Sequence, residues 1–323
     1  MNYAIMTLKG STTLGSVAAS FRQKVHIPMK DLYAKALNGQ LYATETDTTA
    51  TVQIYNNLPV KIAVYNSTNT GMRQLLGHVE PGSNAPVTGT DGDYLVIASA
   101  MSGSFISAYA LNTTETTYTV DNSVLTSPND IGSIPEPTTN VLVPVNSPLV
   151  MVAISTVSPD GSTTNYITRE QFWNLQGDSY SLAVGESRTV SYTIVSGRQT
   201  TSSTQDTVGA SIGVDAHAGW GPISAGISAS LNAESTTFQQ VTVNEQTTSY
   251  MSDTVTNSGD DDVAVLRWQM TDVITIFSPS YQPLASIVSG LNPIIVKSYN
   301  ISDLITPEAP SDVMMRKIPV AMG

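Results

Sequence analysis

One stretch of the sequence alternates strictly between apolar residues and small or polar ones, and no other feature constrains the fold as much. The apolar residues occupy even positions in the first part of this stretch (208–218) and odd positions in the second part (223–233). They are Val208, Ala210, Ile212, Val214, Ala216, Ala218, Ile223, Ala225, Ile227, Ala229, Leu231 and Ala233. A period of two is typical of a β-strand with one apolar face. The change of phase predicts a hairpin in which the numbers of paired residues add to 441, so that apolar side chains meet apolar side chains.

The predicted tip is Gly219, Trp220, Gly221 and Pro222, and the second face carries Ser211, Asp215, His217, Ser224, Ser228 and Ser230. Each arm has 11 residues, and no Lys or Arg occurs from position 199 to position 266. Membrane β-strands run about 9–11 residues, and a cation on their lipid face costs about 2–4 kcal/mol. An ordinary hairpin with one wet face shows the same alternation, but arm length and the missing cations favour a membrane hairpin. Since one hairpin alone would leave backbone groups unpaired in lipid, several copies would have to close a barrel.

Composition narrows the class of protein. Charged residues make up 12% of the 323 residues, and the net charge of -12 argues against a nucleic-acid partner. Helix-favouring Glu, Lys and Arg are scarce, which predicts a mainly β fold. The three histidines (His26, His78 and His217) lack the spacing of a metal or triad site, and Asp260–Asp262 is expected to form a tight turn. We therefore expect no enzyme activity, no metal and no cofactor.

The sequence predicts strands that include Pro59–Tyr65, Arg73–Val79, Thr237–Ser249 and Asp262–Phe277. Turn residues and these strand-like runs divide the chain into five parts. These are an N-terminal segment with a short helix (1–48, helix at 28–38), a small β-sandwich as candidate receptor-binding domain (49–126), a linker (127–139), a long-stranded module (140–305) and a tail (306–323). Trp173 and Trp268 are expected to be core or interface anchors. The dibasic pair Arg316–Lys317 is a candidate cleavage site whose ordinary interpretation is a solvated tail.

Ser/Thr-rich strands on each side of an alternating hairpin without Lys or Arg resemble the aerolysin-type β-pore-forming toxins, in particular the epsilon-toxin and mosquitocidal-toxin branch. The resemblance covers about 140–300 and implies an elongated antiparallel pore-forming module. It also implies a secreted, cytolytic and insecticidal homo-oligomer that acts outside the cell at a target-cell membrane, through an unknown glycan, lipid or protein receptor. Residues 208–219 and 223–232 would be the inserting arms.

A second resemblance is confined to about 50–120. Asn56-Asn57-Leu58-Pro59, Gly71, Val79-Glu80-Pro81-Gly82 and Asp91-Gly92-Asp93-Tyr94 follow the strand-and-turn order of the von Hippel-Lindau β-domain. This resemblance implies a binding module. No secretory signal is recognisable near Met1, so release by another route is expected. The alternative to a pore-forming toxin is a non-lytic, surface-binding or adhesive β-sandwich protein, such as a lectin or a virion component.

Overall fold

The computed structural model describes residues 48–67, 73–134, 146–158, 163–177, 179–199 and 247–304. The predicted hairpin at 208–233, the predicted helix at 28–38 and the candidate cleavage pair Arg316–Lys317 lie outside these residues. His26, His217 and Trp220 lie outside them as well.

The described residues are mainly β-strand, which confirms the predicted fold class. The first half forms β1 (Thr49–Asn56), β2 (Ile62–Ser67), β3 (Arg73–Val79), β4 (Asn84–Thr90), β5 (Tyr94–Ser99), β6 (Phe105–Ala110) and β7 (Thr117–Val120). The second half forms β8 (Val150–Val157), β9 (Asn165–Leu175), β10 (Tyr180–Leu182), β11 (Ser187–Gln199), β12 (Thr247–Thr256), β13 (Val263–Phe277) and β14 (Pro283–Asn300), followed by one helical turn, α1 (Ile301–Leu304).

Two sheets face each other in the first half, as expected for a sandwich. A three-stranded sheet has the order β4-β1-β7, and its apolar side chains pack on those of β2, β5 and β6. Val52 and Ile54 of β1 are fully buried there together with Ile97 of β5 and Ile106 of β6. The facing sheet does not end with the sandwich, because it continues from β6 into β8 and on through the second half in the order β3-β2-β5-β6-β8-β9-β13-β14-β11-β12.

A buried asparagine shapes the turn between β1 and β2. The Asn56 side chain is fully buried and donates to the carbonyl oxygens of Val60 (2.8 Å) and Val79 (2.9 Å), while its own oxygen accepts from Leu58 N (3.1 Å). These bonds satisfy backbone groups that would otherwise be buried without a partner. They also keep the chain out of the sheet until Ile62, later than the sequence pattern predicts.

The two central strands, β9 and β13, are buried on both faces for most of their length. Trp173 and Trp268 lie in one apolar cluster, 5% and 0% exposed, which confirms that they are core residues. The Arg169 guanidinium pairs with the Asp272 carboxylate through two bonds of 2.8 and 3.0 Å, and both side chains are buried. Burying these charges is tolerated because the pairing is bidentate and Gln171 donates to the same carboxylate (2.8 Å).

The described part of the segment expected as a linker packs against this core. Ile131 and Ile134 are 3% and 6% exposed and belong to the same apolar cluster as Trp173 and Trp268. The Trp173 indole N–H donates to the carbonyl oxygen of Gly132 (3.0 Å). The two halves are therefore joined by packing as well as by the shared sheet.

Candidate functional site

Strands β11 and β12 form a long two-stranded ribbon, and segment 200–246, which contains the predicted hairpin, connects them along the chain. They pair antiparallel from Ser187 with Thr256 to Ser196 with Thr247, so the numbers of paired residues add to 443. Within the described part of the chain, β12 pairs with no other strand. Gln199 and Thr247, the ends of the two ribbon strands, are thus joined along the chain by the segment that contains the alternating residues 208–233.

The outer face of the ribbon is a row of hydroxyls. Side chains at odd positions of β11 from Ser187 to Thr193 and at even positions of β12 are exposed. Two pairs bond to each other across the strands: Ser187 to Thr256 (2.9 Å) and Thr189 to Thr254 (2.7 Å). Tyr250 shares this face and is 81% exposed. This face is polar and uncharged, and it can make hydrogen bonds to water without carrying a charge.

The inner face carries the residues that hold the ribbon against the body of the protein. Tyr192 is buried (8% exposed), and the guanidinium carbon of Arg267 on β13 lies 3.9 Å from the centre of its ring. The Tyr192 hydroxyl donates to the carboxylate of Asp253 on β12 at 2.5 Å. We call these three residues, Tyr192, Asp253 and Arg267, the clasp. A cation over an aromatic ring contributes about 0.5–2 kcal/mol, more as the pair loses water.

Apolar packing surrounds the clasp. A narrow crevice beside it is lined by Tyr180, Val190, Tyr192, Asp253, Val265, Arg267 and Val296. Val255 of β12 packs against a small cluster containing Val263 and Val265 of β13. The ribbon therefore lies over β13 and β14 by side-chain contact along most of its length.

Within the described part of the chain, backbone pairing ties the ribbon to the body at the last three residues of β11. These pairs are Gly197 with Gly290, Arg198 with Ser289 and Gln199 with Val288. One further bond runs from the Gln269 side chain of β13 to the carbonyl oxygen of Val195 (2.9 Å). Because the two ribbon strands share ten paired positions, the ribbon is held together more extensively than it is held to the body.

The other end of the ribbon is anchored by Asn257, which is buried. Its amide group donates to the carbonyl oxygens of Leu182 (3.3 Å) and Asp261 (2.8 Å), and its oxygen accepts from Gly259 N (3.1 Å). The Asp262 carboxylate accepts from Val184 N (3.2 Å). The acidic run Asp260–Asp262 therefore lies in a turn and supports it, as the sequence indicated. No cluster of three or more potential metal ligands occurs among the described residues.

The site residues predicted from the sequence differ from the clasp residues found in the structure. His78 lies exposed on β3, and the predicted arms and tip lie outside the described residues. Sequence reasoning missed all three residues of the clasp. One signal was present: Arg198 and Arg267 are the cations that bracket the stretch without Lys or Arg, and one belongs to the short backbone tie and the other to the clasp.

No helix in the described part of the chain is long and apolar enough to cross a bilayer. No protein-family model matches the chain, and no curated protein matches it. Among solved structures, the chain is similar to the one described as "Crystal structure of Cry35Ab1", with 11% identity, coverage of 79% of this chain and 91% of that chain, and a TM-score of 0.32. At these values the likeness is a general one, and no functional assignment follows from it.

Proposed function

We propose that this protein forms membrane pores: copies bind a target-cell surface, assemble into a homo-oligomer, and insert segment 208–233 as an amphipathic hairpin of a transmembrane β-barrel. The observation that carries the proposal is the register of β11 and β12. An odd sum of paired numbers places even positions of the first strand opposite odd positions of the second, and the change of phase at Gly219–Pro222 requires this same relation.

The faces agree as well as the register. Buried positions of β11 are even (Tyr192 and Ile194), and the less exposed positions of β12 are odd (Asp253 and Val255). The apolar positions of the alternating segment are even in its first arm and odd in its second. Regular continuation of both strands would therefore extend the inner face into the apolar face and the hydroxyl row into the face with Ser211 and Asp215.

The position of the tip gives an independent check. Continued inward without a bulge, the register of the ribbon brings the two strands together between Gly221 and Pro222, inside the tip predicted from the sequence. The sequence pattern favours a sum of 441 and the ribbon has 443. Because the difference is two residues, it leaves every side chain on the same face.

The unpaired edge of β12 supports assembly. Protected edge strands usually carry Lys, Pro or a bulge, whereas residues 247–256 contain neither Lys nor Pro and only one charged residue, Asp253. That charge belongs to the inner face. In the proposed assembly this edge pairs with a second copy of the chain, which also removes the unpaired backbone groups that a membrane does not tolerate.

A pair of engineered disulfides tests the proposal, and the absence of Cys makes them the only disulfides in the chain. Arg198→Cys with Ser289→Cys links the ribbon to the body at paired positions, and Thr189→Cys with Thr254→Cys links the two ribbon strands to each other. Directly paired positions lie about 4.5–5.5 Å apart between Cα atoms, within the range of a disulfide. The second pair is the matched control, because it leaves the ribbon free to separate from the body.

The readout is dye release from vesicles of phosphatidylcholine and cholesterol, with sedimentation to measure binding. We expect the oxidised Arg198–Ser289 variant to bind without leakage and to recover leakage on reduction, while the Thr189–Thr254 variant leaks in both states. Leakage from the oxidised body-linked variant would show that the ribbon need not separate. Binding without leakage by every variant, including the parent, would favour the adhesive alternative.

A further inference from the structure

Neighbouring strands of the long sheet share the fewest paired positions where its two halves meet. β6 and β8 pair in parallel at one position only, Phe105 with Val150. One bond reinforces the pairing, from Phe105 N to the carbonyl oxygen of Leu149 (2.9 Å). We call this place the joint. By contrast, β8 and β9 pair along most of β8, so a change at the joint can separate the halves with little loss of backbone pairing.

A buried acid lies beside the joint. Glu170 of β9 is fully buried and is paired in register with Met151 of β8. Neither carboxyl oxygen makes a well-formed hydrogen bond. The hydroxyls of Ser102 and Ser104 lie close enough to influence its ionisation, and both belong to the turn that leads from β5 directly into Phe105.

No charged side chain among the described residues contributes to the ionisation of Glu170. Its described neighbours on this side of the sheet include Met151 of β8, Val273 of β13, Thr168 and Phe172 of β9, and Ser102 and Ser104 of the turn. None of these is charged or titratable near neutral pH. Arg169 and Asp272 project from the opposite face, where they pair with each other. Burial raises the pKa of Glu170 from 4.5 to about 7, although the three hydroxyls lower it.

Hydrogen bonds within the turn of residues 99–104 fix its conformation. Ser99 N donates to the carbonyl oxygen of Ser104 (2.9 Å), and the hydroxyls of Ser102 and Ser104 bond to each other (2.9 Å). Gly103 has φ of +72°, a conformation that glycine adopts without strain. The hydroxyls next to Glu170 are thus fixed to the same turn that starts β6, so displacing them displaces the start of the joint.

We propose that Glu170 makes the joint sensitive to pH: with the acid protonated the turn of residues 99–104 lies closed over β9, and with the acid ionised this turn lifts and the pairing of Phe105 with Val150 opens. The direction follows from proton linkage. A folded state that binds the proton more tightly than the unfolded state is most stable below pH 4.5, loses stability as the pH rises, and reaches its lower level above about pH 7. The effect is separate from pore formation, because it concerns the joint and not the ribbon.

The test is hydrogen exchange of the full chain at pH values from 5 to 8, corrected for intrinsic rates, with Glu170→Gln as the matched variant. The informative amide is that of Phe105, which donates to Leu149 O across the joint. In the parent protein we expect its opening constant to rise about 70-fold between pH 5 and pH 8, as follows from a pKa of about 7 in the closed state and 4.5 in the open state. In Glu170→Gln the same amide should show little dependence on pH.

Two outcomes would overturn the proposal: equal pH profiles in the parent and in Glu170→Gln, or a rise that affects the amides of β13 and β14 equally and is therefore global. If the glutamine variant does not fold, the carboxyl group of Glu170 can be titrated by carbon NMR in the parent protein. A midpoint near 7 that coincides with opening of the Phe105 amide supports the proposal, and a midpoint near 4.5 contradicts it.

Discussion

Replacing Tyr192 with Phe separates the two contacts of the clasp. The variant keeps the aromatic ring under Arg267 (3.9 Å) and removes the hydroxyl that donates to Asp253 (2.5 Å). A hydrogen bond to a charged group contributes about 1.5–3 kcal/mol. The lower end applies, because Asp253 is partly exposed and water can replace the lost donor. Both partners of this bond belong to the ribbon, so Tyr192→Phe should destabilise the pairing of β11 with β12 about tenfold, equivalent to about 1.4 kcal/mol, and should leave separation of the ribbon from the body nearly unchanged.

Tyr192→Leu extends the test, since it also removes the ring. The cation–π contact between Tyr192 and Arg267 joins the ribbon to the body and contributes about 0.5–2 kcal/mol, so separation of the ribbon should exceed that in the Phe variant by a factor of about 2 to 30. Native-state hydrogen exchange at the β11–β14 pairs measures this separation, because the pairing of β12 with β11 is kept when the ribbon leaves the body. The rate of dye release should follow it. Thr189→Val is the matched control, because its hydroxyl contact with Thr254 lies within the ribbon.

Unchanged protection of the β11–β14 pairs in Tyr192→Leu would refute the role of the clasp in holding the ribbon to the body. So would slower dye release from Tyr192→Leu than from the parent protein. A third result, equal loss of protection at these pairs and throughout β13, would show that the substitution destabilises the whole fold and not only the contact of the ribbon with the body.

Two further predictions concern the core and the proposed lumen. Asp272→Asn leaves the guanidinium of Arg169 buried without its counter-charge, and urea unfolding should show a loss of about 3–5 kcal/mol. The double variant Arg169→Met with Asp272→Leu should lose less stability than Asp272→Asn, because it leaves no buried charge unpaired. A smaller loss of stability in Asp272→Asn than in the double variant would contradict this account. Asp215→Lys, on the face proposed to line the lumen, should reverse or abolish cation preference in bilayer recordings; an unchanged reversal potential would remove Asp215 from the lumen.

The sequence predicts best those strands that are apolar runs with turn residues at both ends. β3 was predicted at Arg73–Val79 and is found there, and β13 (Val263–Phe277) begins one residue after the predicted start. Both are apolar runs bounded by turn residues. β4 was missed because Pro86 and Gly89 argue against a strand. Pro86 is tolerated because β4 is an edge strand of its three-stranded sheet, where a missing N–H on the outer side breaks no pairing.

Long-range partners explain the larger errors. β9 carries Thr168, Arg169, Glu170 and Gln171 in succession, which is an unlikely sequence for a buried strand unless its charge is paired. Asp272, which pairs with Arg169, is 103 residues away along the chain, so the sequence around β9 does not reveal it. The strand predicted at 237–249 continues to Thr256, because Ser/Thr-rich sequence has little hydrophobic periodicity to set the end of a strand. Residues 237–246 of that prediction lie outside the described residues. The clasp was missed for the same reason, since its residues come from three strands.

The distribution of contacts in the second half bears on how a stable protein could release one of its hairpins. The ribbon keeps its own ten paired positions when it separates from the body. Among the described residues, separation gives up three paired positions, the Gln269 bond and the contact of Arg267 with Tyr192. Separation also exposes Tyr192 and Ile194, which are buried in the described structure, and exposing an apolar side chain costs about 1.5–3 kcal/mol. Few polar ties and a modest apolar contact make release in water unfavourable but not prohibitive. The same apolar positions gain free energy when a neighbouring copy or a bilayer covers them, so the proposed insertion needs an acceptor surface, and the ribbon should remain closed in the isolated monomer.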